Sequence, residues 1–305
     1  MKILLVPLMI LVLFVMSSCG GGSRVNTGPG VDGKVPIASP TRDDQNANNK
    51  LPVEPDMVMI VDVKNDVSLK LKGALDFFHI DGGPFYPGDL LRIGDASTAI
   101  VDCKDSICSL GRGEYAKCCG DVCQNSIPAA PPEGTQVAFM MRKDDLPAPQ
   151  LQLFQSSESR IRALGVNEIA TQYFIARLYS SWGVKEANQE IDKLSQQLND
   201  PAAQQKLNRL YLPMIHRTGD LYLKMNDKTR AEQSYKRVID LAPETGEAGK
   251  EKAATHVSLG QMYKDSGRKE EAVKNLEQGR KLYEMQGDAN KAGDVRRAII
   301  KAKGQ

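Results

Sequence analysis

The densest group of reactive side chains is a cluster of five cysteines. They are Cys103, Cys108, Cys118, Cys119 and Cys123, in the spacing C-x4-C-x9-C-C-x3-C. Structural zinc sites usually use paired C-x2–4-C knuckles, and dithiol redox sites use C-x-x-C, and this cluster has neither. The spacing therefore favours structural disulfides, with a metal site as the alternative. No cofactor is expected.

Hairpin geometry suggests one of the bonds. If Asp105-Ser106 is a two-residue turn, Cys103 faces Cys108 in a non-hydrogen-bonded pair, with Cα atoms about 4.5 Å apart. That distance is within disulfide range. We expect a Cys103–Cys108 bond, with Cys123 bonded to Cys118 or Cys119. One thiol is then left over, either buried or paired between chains.

The three histidines give no sign of catalysis. His79, His216 and His256 are far apart in the sequence, and the last two fall in predicted helices. The chain contains no G-x-S-x-G, H-E-x-x-H or P-loop motif. We predict no catalytic residues, no bound metal and no enzymatic activity.

The start of the chain reads as an export signal. Met1-Lys2 precedes an apolar run, Ile3 to Met16, which is too short to span a bilayer and ends in Ser17-Ser18-Cys19. This ending resembles a bacterial lipobox, which implies that residues 1–18 are removed and that Cys19 carries the lipid. The alternative is an ordinary signal peptide followed by an unrelated cysteine. Gly20 is similar to the residue found in lipoproteins sorted to the outer membrane. The resemblance implies a lipid-anchored protein of the bacterial cell envelope, on the outer membrane and facing the periplasm.

Composition separates the rest of the chain into parts. Residues 19–50 have few large apolar side chains and are predicted to form a flexible tether. The net charge of +2 is uneven, −5 over residues 1–200 and +7 over residues 201–305. The basic part favours an acidic partner or an anionic membrane surface, or is simply a solvated helical surface. Without interleaved aromatic residues, it does not indicate nucleic-acid binding.

Residues 51–146 contain short apolar and β-branched runs between turn residues, which predicts a small antiparallel β domain of six to eight short strands. The predicted strands are Met57 to Val63, Ser68 to Leu71, Leu90 to Ile93, Ala99 to Val101 and Val137 to Met140. Within them, Gly88-Asp89-Leu90-Leu91-Arg92-Ile93-Gly94-Asp95, Ser97 to Val101 and Asp105-Ser106 resemble the FecR-like extracytoplasmic domain. The resemblance covers about 25 residues and implies an envelope module; the signalling role of the name-giving regulators is not carried over.

A pattern of small and aromatic residues occurs twice in the C-terminal part. From Gly219, residues Tyr222, Ala231 and Tyr235 lie at offsets +3, +12 and +16; from Gly260, residues Tyr263, Ala272 and Leu276 lie at the same offsets. This spacing resembles the tetratricopeptide repeat, a helical hairpin with a period of about 34 residues. Because the glycines are 41 apart, the extra residues around Thr245–Glu251 should lengthen a helix or a turn.

The helical array is predicted to cover residues 155–305. A degenerate unit with Ala176 and Ala187 should precede the two clear ones, after a first helix that begins near Arg160. Residues 288–302 should form a last amphipathic helix that caps the array, with Ala292 and Val295 inward. The overall expectation is a multidomain protein, a small β domain followed by an α-helical repeat array.

Arrays of this family bind other proteins, commonly through a groove lined by the first helix of each hairpin. By position, the resemblance assigns Tyr173, Arg177, Ser180, His216, Asp220, Leu223, Lys224, Val257, Gln261 and Lys264 to this partner-binding groove. The implied function is a non-catalytic scaffold or adaptor for other envelope proteins or their peptide segments. The alternative is a ligand- or cell-wall-binding β domain, with the helices as a spacer. The groove residues could also be ordinary solvated positions.

Overall fold

The computed structural model describes residues 58–103, 105–123 and 125–304. The predicted signal peptide, the lipidated Cys19 and the tether lie outside this part and stay predictions. All described residues belong to one compact unit, Asn49–Gln305. None of their helices has the length and apolar character needed to cross a membrane.

The N-terminal part of this unit is a pair of antiparallel sheets. Its nine strands, counted over the described residues, are β1 Val58–Lys64, β2 Val67–Lys70, β3 Phe78–His79, β4 Gly83–Phe85, β5 Leu90–Ile93, β6 Thr98–Asp102, β7 Ser106–Leu110, β8 Gly113–Tyr115 and β9 Ile127–Pro128. The first sheet has the order β4-β1-β6-β7-β9, and the second has the order β3-β2-β5-β8. The expected antiparallel β region is confirmed, with two sheets.

The five-stranded sheet is buried on both faces. Ile60 and Val101 point towards the second sheet and pack with Leu69 and Leu91. Met59 and Ile100 point the other way and share a core with the helices. A strand covered on both sides needs consecutive apolar residues rather than alternating ones. This explains the unbroken apolar run in β1 and makes the sheet the middle of three layers.

One predicted strand is wrong. Val137 to Met140 is irregular, and the Met140 N–H donates to the carbonyl of Gly183 at 2.7 Å. Met140 has a positive φ of 65°, which a strand does not allow. The segment therefore makes its backbone hydrogen bond to a helix terminus and not to a neighbouring strand.

Nine helices follow in the described part. They are α1 Ala148–Arg162, α2 Glu168–Trp182, α3 Ala187–Asn199, α4 Pro201–Leu207, α5 Tyr211–Lys224, α6 Lys228–Leu241, α7 Gly246–Asp265, α8 Lys269–Met285 and α9 Ala289–Lys303. The predicted start near Arg160 is wrong, since α1 begins twelve residues earlier at Ala148. Pro147 and Pro149 flank that start, where the missing proline N–H groups cost nothing.

The helices include three hairpins, α2/α3, α5/α6 and α7/α8, and the last two have close contacts at glycine. A Cβ placed on Gly219 of α5 would lie 2.6 Å from the Tyr235 ring in α6, and one on Gly260 of α7 would lie 2.8 Å from Leu276 in α8. Glycine therefore lets the second helix approach the first. The extra residues of the last hairpin lengthen its first helix, since α7 has 20 residues and α5 has 14.

The cysteine pairing differs from the prediction. The hairpin turns earlier than expected, so Cys108 lies opposite Val101 and the Cys103 N–H donates to the Ser106 carbonyl. The Sγ atoms of Cys103 and Cys108 remain neighbours, 3.3 Å apart. Each is bonded to the following loop instead, as Cys103–Cys119 and Cys108–Cys123. The expected Cys103–Cys108 bond, and the bond from Cys123 to Cys118 or Cys119, are therefore wrong.

Cys118 is the thiol left over among the described cysteines. It is buried, and burial raises its pKa to about 12. At neutral pH it therefore lacks the thiolate needed for reaction. The described residues contain no group of His, Cys, Asp or Glu able to hold a metal ion.

Peptide mapping tests this pairing. Cleavage of the unreduced protein by trypsin and Asp-N should join Asp102–Lys104 to Cys118–Gly120, and Asp105–Arg112 to the peptide that begins at Asp121. Fragmentation should place the first bond on Cys119, with Cys118 alkylated only after denaturation. A bond between Asp102–Lys104 and Asp105–Arg112 would contradict the structure and restore the Cys103–Cys108 pairing.

Candidate functional site: the inner face of the helical array

The inner face is the surface formed by the first helices of the hairpins, α2, α5 and α7. Its α2 end does not form an open groove, because Tyr173, Arg177 and Ser180 are buried, with 2%, 7% and 1% of their surface exposed. The structure corrects the expectation of accessible groove residues here. The β region of the same chain contacts Tyr173 and Arg177, and the Ser180 hydroxyl donates to the Arg177 carbonyl within α2.

A buried ion pair joins the two parts of the chain at this point. The Arg177 guanidinium contacts the Asp102 carboxylate and donates to the Cys103 carbonyl. The Tyr173 hydroxyl donates to the same carboxylate at 2.5 Å. Burial raises the pKa of Tyr173 well above its usual range, and the Asp102 charge adds to the rise, so the phenol stays a donor. Two donors thus compensate the buried carboxylate.

The position of Asp102 follows from strand alternation. It is the last residue of β6, two places after Ile100, whose side chain packs with the helices. The next residue, Cys103, faces the other sheet and is held to Cys119. Asp102 was not singled out from the sequence, and a lone acid at a strand end carries no signal without knowledge of its partner on α2.

A second junction lies further along the array. Arg209 lies in the turn before α5, and its Nη2 donates to Glu247 Oε1 of α7 at 2.5 Å. Its guanidinium carbon lies over the Phe78 ring, 5.3 Å from the ring centroid. A Cβ placed on Gly83 would lie 3.2 Å from the Arg209 guanidinium carbon. The β region therefore rests on both α2 and the start of α5, with glycine at the close approach.

His216 forms a buried polar cluster between two hairpins. Its Nδ1 contacts the Glu251 carboxylate, its Nε2 lies 3.1 Å from Ser258 Oγ, and Asp220 is 3.7 Å from Nε2. Burial lowers the pKa of His216, but the Asp220 and Glu251 charges outweigh burial and leave it raised. The cluster ties α5 to α7 by charge-assisted contacts.

The contacts Ser258–His216–Glu251 follow the same sequence as in a serine hydrolase triad. Their surroundings differ from those of a catalytic site. Ser258 lies inside α7, where the neighbouring backbone N–H groups are bonded within the helix. These amides cannot form the oxyanion hole that acyl transfer requires. The three residues therefore hold α5 against α7 in a fixed position.

The other predicted groove residues divide into two groups. Asp220 accepts from Tyr235 of α6 at 2.7 Å, and Val257 packs against Gly279 of α8, so both are used within their own hairpins. Leu223, Gln261 and Lys264 are half-buried, and Lys224 is exposed. These four residues are called the inner patch. They are the part of the predicted set that keeps accessible surface.

The comparison with known families agrees with the hairpin geometry. A model of the tetratricopeptide repeat matches residues 212–245 and 253–284. The C-terminal region contains tetratricopeptide repeats. The matches cover the α5/α6 hairpin and most of the α7/α8 hairpin, and this repeat type is typically non-catalytic. No curated protein and no solved structure gives a significant match. The FecR-like resemblance of the β region stays a prediction.

The ion pair predicts a large stability effect. Changing Asp102 to Asn leaves the Arg177 guanidinium buried without its counter-charge, which should lower the free energy of unfolding by about 3–5 kcal/mol. Urea denaturation of the full chain measures this. The matched control is Glu114→Gln, because its partner Arg92 is half exposed and the loss should be about 1 kcal/mol or less. Equal losses would mean that the junction carries little energy.

The two repeat histidines should give opposite pH dependences. Since the folded pKa of His216 is raised, its stabilisation is complete below the unfolded pKa of about 6.5 and is lost as pH rises through the folded value. Burial lowers the pKa of His256, so its contribution is lost as pH falls below about 6.5.

The measurement compares His216→Gln and His256→Gln with the unchanged protein by urea unfolding at about pH 5.5 and 8.5. The His216 variant should lose more stability at the lower pH, and the His256 variant should lose more at the higher pH. If the stability loss changed with pH in the same direction for both variants, the assignment of the buried charges would be contradicted.

Proposed function

We propose that the protein is a non-catalytic scaffold that binds other proteins through its tetratricopeptide repeats. The observation that carries this proposal is the presence of two matched repeats in a continuous helical array. These repeats supply shape and polar surface, and the reactive residues among them are engaged in internal contacts. The proposed partners are peptide segments of other envelope proteins.

The inner patch is the proposed binding surface on the array. Lys224 is exposed, and Gln261 and Lys264 add an amide and a second ammonium group from the next hairpin. A long side chain on each helix can reach a peptide laid across both. The excess of basic residues after residue 200 favours an acidic segment.

We further propose that the scaffold is held in the bacterial envelope by a lipid on Cys19, with residues 19–50 as the tether, on the outer membrane facing the periplasm. The lipobox-like Met16-Ser17-Ser18-Cys19 sequence and the disulfides of the β region support export. Disulfides persist mainly in oxidising compartments. The alternative, in which the helices are only a spacer for the β region, is disfavoured because β6 is bound to α2.

Crosslinking from defined positions tests the scaffold. A photo-crosslinking residue at Gln261 of the full chain, in cells, should give a discrete adduct that is weakened at least tenfold by Lys224→Glu with Lys264→Glu. The control position is Lys274, an exposed residue on the second helix of the same hairpin. The same adduct from both positions, or none from Gln261, would rule out the inner patch. Cys19→Ser should move the protein out of the membrane fraction.

A further inference from the structure

The glycine of each full repeat receives the second helix of its own hairpin. A Cβ on Gly219 or Gly260 would meet a side chain of α6 or α8 within 3 Å. Each glycine follows a buried residue, Thr218 or Leu259, and precedes a buried tyrosine by three positions. The residue is therefore the contact point at which one helix lies across another.

The last described helix, α9, also contains a glycine. Gly293 lies 33 residues after Gly260 and follows the buried Ala292, as Gly260 follows the buried Leu259. The buried side of α9 packs with Leu276 and Tyr283 of α8. By its place after the α7/α8 hairpin, α9 lies where the first helix of a fourth repeat would begin, although the residue three positions after its glycine is the exposed Arg296 and not a buried tyrosine.

No second helix covers Gly293 in the described part of the chain. A Cβ on Gly293 would meet no atom closer than Arg297 Nη1, at 4.0 Å. Ala289 and Ile300 lie on the same face by helical spacing, and Ile300 is 44% exposed. We call Ala289, Gly293, Arg296, Arg297 and Ile300 the end face. It has the small and apolar centre of a helix-receiving surface.

The charge of α9 indicates what can cover it. The helix carries Lys291, Arg296, Arg297, Lys301 and Lys303 against the single acid Asp294. Two copies of this face brought together would repel each other. An acidic helix would instead be attracted, and its carboxylates would reach Arg296 and Arg297, which lie one turn after Gly293; Arg297 also pairs with Asp294 within the helix.

We propose that the end face binds an acidic amphipathic helix of a partner protein, which packs on Gly293 as the second helix of a fourth repeat. The pattern required of that helix is the one found in α8, with Ala272 and Leu276 four residues apart on the contact side. The proposal rests on the function proposed above as an interaction scaffold, and it adds a second surface and a partner class.

The probe is a labelled synthetic peptide with the sequence of Lys269–Met285 in which its four basic residues are changed to glutamate. Fluorescence polarisation at low salt should show saturable binding to the full chain. Gly293→Leu should weaken binding at least tenfold, because the added side chain occupies the contact point. Arg296→Glu with Arg297→Glu should do the same. The charge-matched control is Lys274→Glu with Lys281→Glu on α8, which should bind as the unchanged protein does.

Other outcomes overturn the proposal. Equal binding of a scrambled peptide of the same composition would show attraction by charge alone, and unchanged binding by Gly293→Leu would exclude the glycine face. Sedimentation that shows a dimer abolished by Gly293→Leu would assign the face to a second copy. Thermal unfolding checks that each variant is folded. Lys224→Glu with Lys264→Glu should leave peptide binding unchanged, so failure at the end face and failure at the inner patch are distinguishable.

Discussion

The buried pair of Arg177 and Asp102 is the interaction on which the arrangement of this chain depends. Both side chains are 9% exposed, in a place where an unpaired charge would cost several kcal/mol. Each therefore requires the other, although they are 75 residues apart in the sequence. The requirement is geometric as well as electrostatic, because the guanidinium also binds the Cys103 carbonyl at the hairpin end. A β region that slid along the array would leave both charges uncompensated.

This constraint changes what the repeats can offer to a partner. In a free array the first helices present a continuous concave face, but here the β region occupies the α2 end and rests on the start of α5. The disulfides from Cys103 and Cys108 fix the loop behind that contact. Of the predicted groove residues, those that keep the most accessible surface lie on α5 and α7, in the part of the chain where the basic residues are concentrated. Docking of the β region therefore leaves the later repeats as the accessible part of the predicted groove.

The sequence predicted what depends on neighbouring residues and short periods. The spacing around Gly219 and Gly260 identified the hairpins, because close packing at a fixed offset can be satisfied by few residue types. The residue patterns also identified the β region and the last amphipathic helix. The disulfide pairing was not, because a shift of one residue in the turn moves Cys108 opposite Val101. The blocked groove was missed for a deeper reason: Tyr173 and Arg177 look like surface residues until β6 is placed over them.

The glycines inside the helices also show which features depend on contacts with other helices. Glycine inside a helix costs about 1 kcal/mol relative to alanine, so its presence usually has a packing reason. At Gly219 and Gly260 the reason is found within the hairpin. Gly293 lies 33 residues after Gly260, and no second helix lies over it in the described residues. Repeat proteins are stabilised by contacts between neighbouring units, and a helix face that no described residue covers can receive a helix of another molecule. The exposed face around Gly293 and the basic charge of α9 together support the proposed binding of an acidic helix there, independently of the inner face.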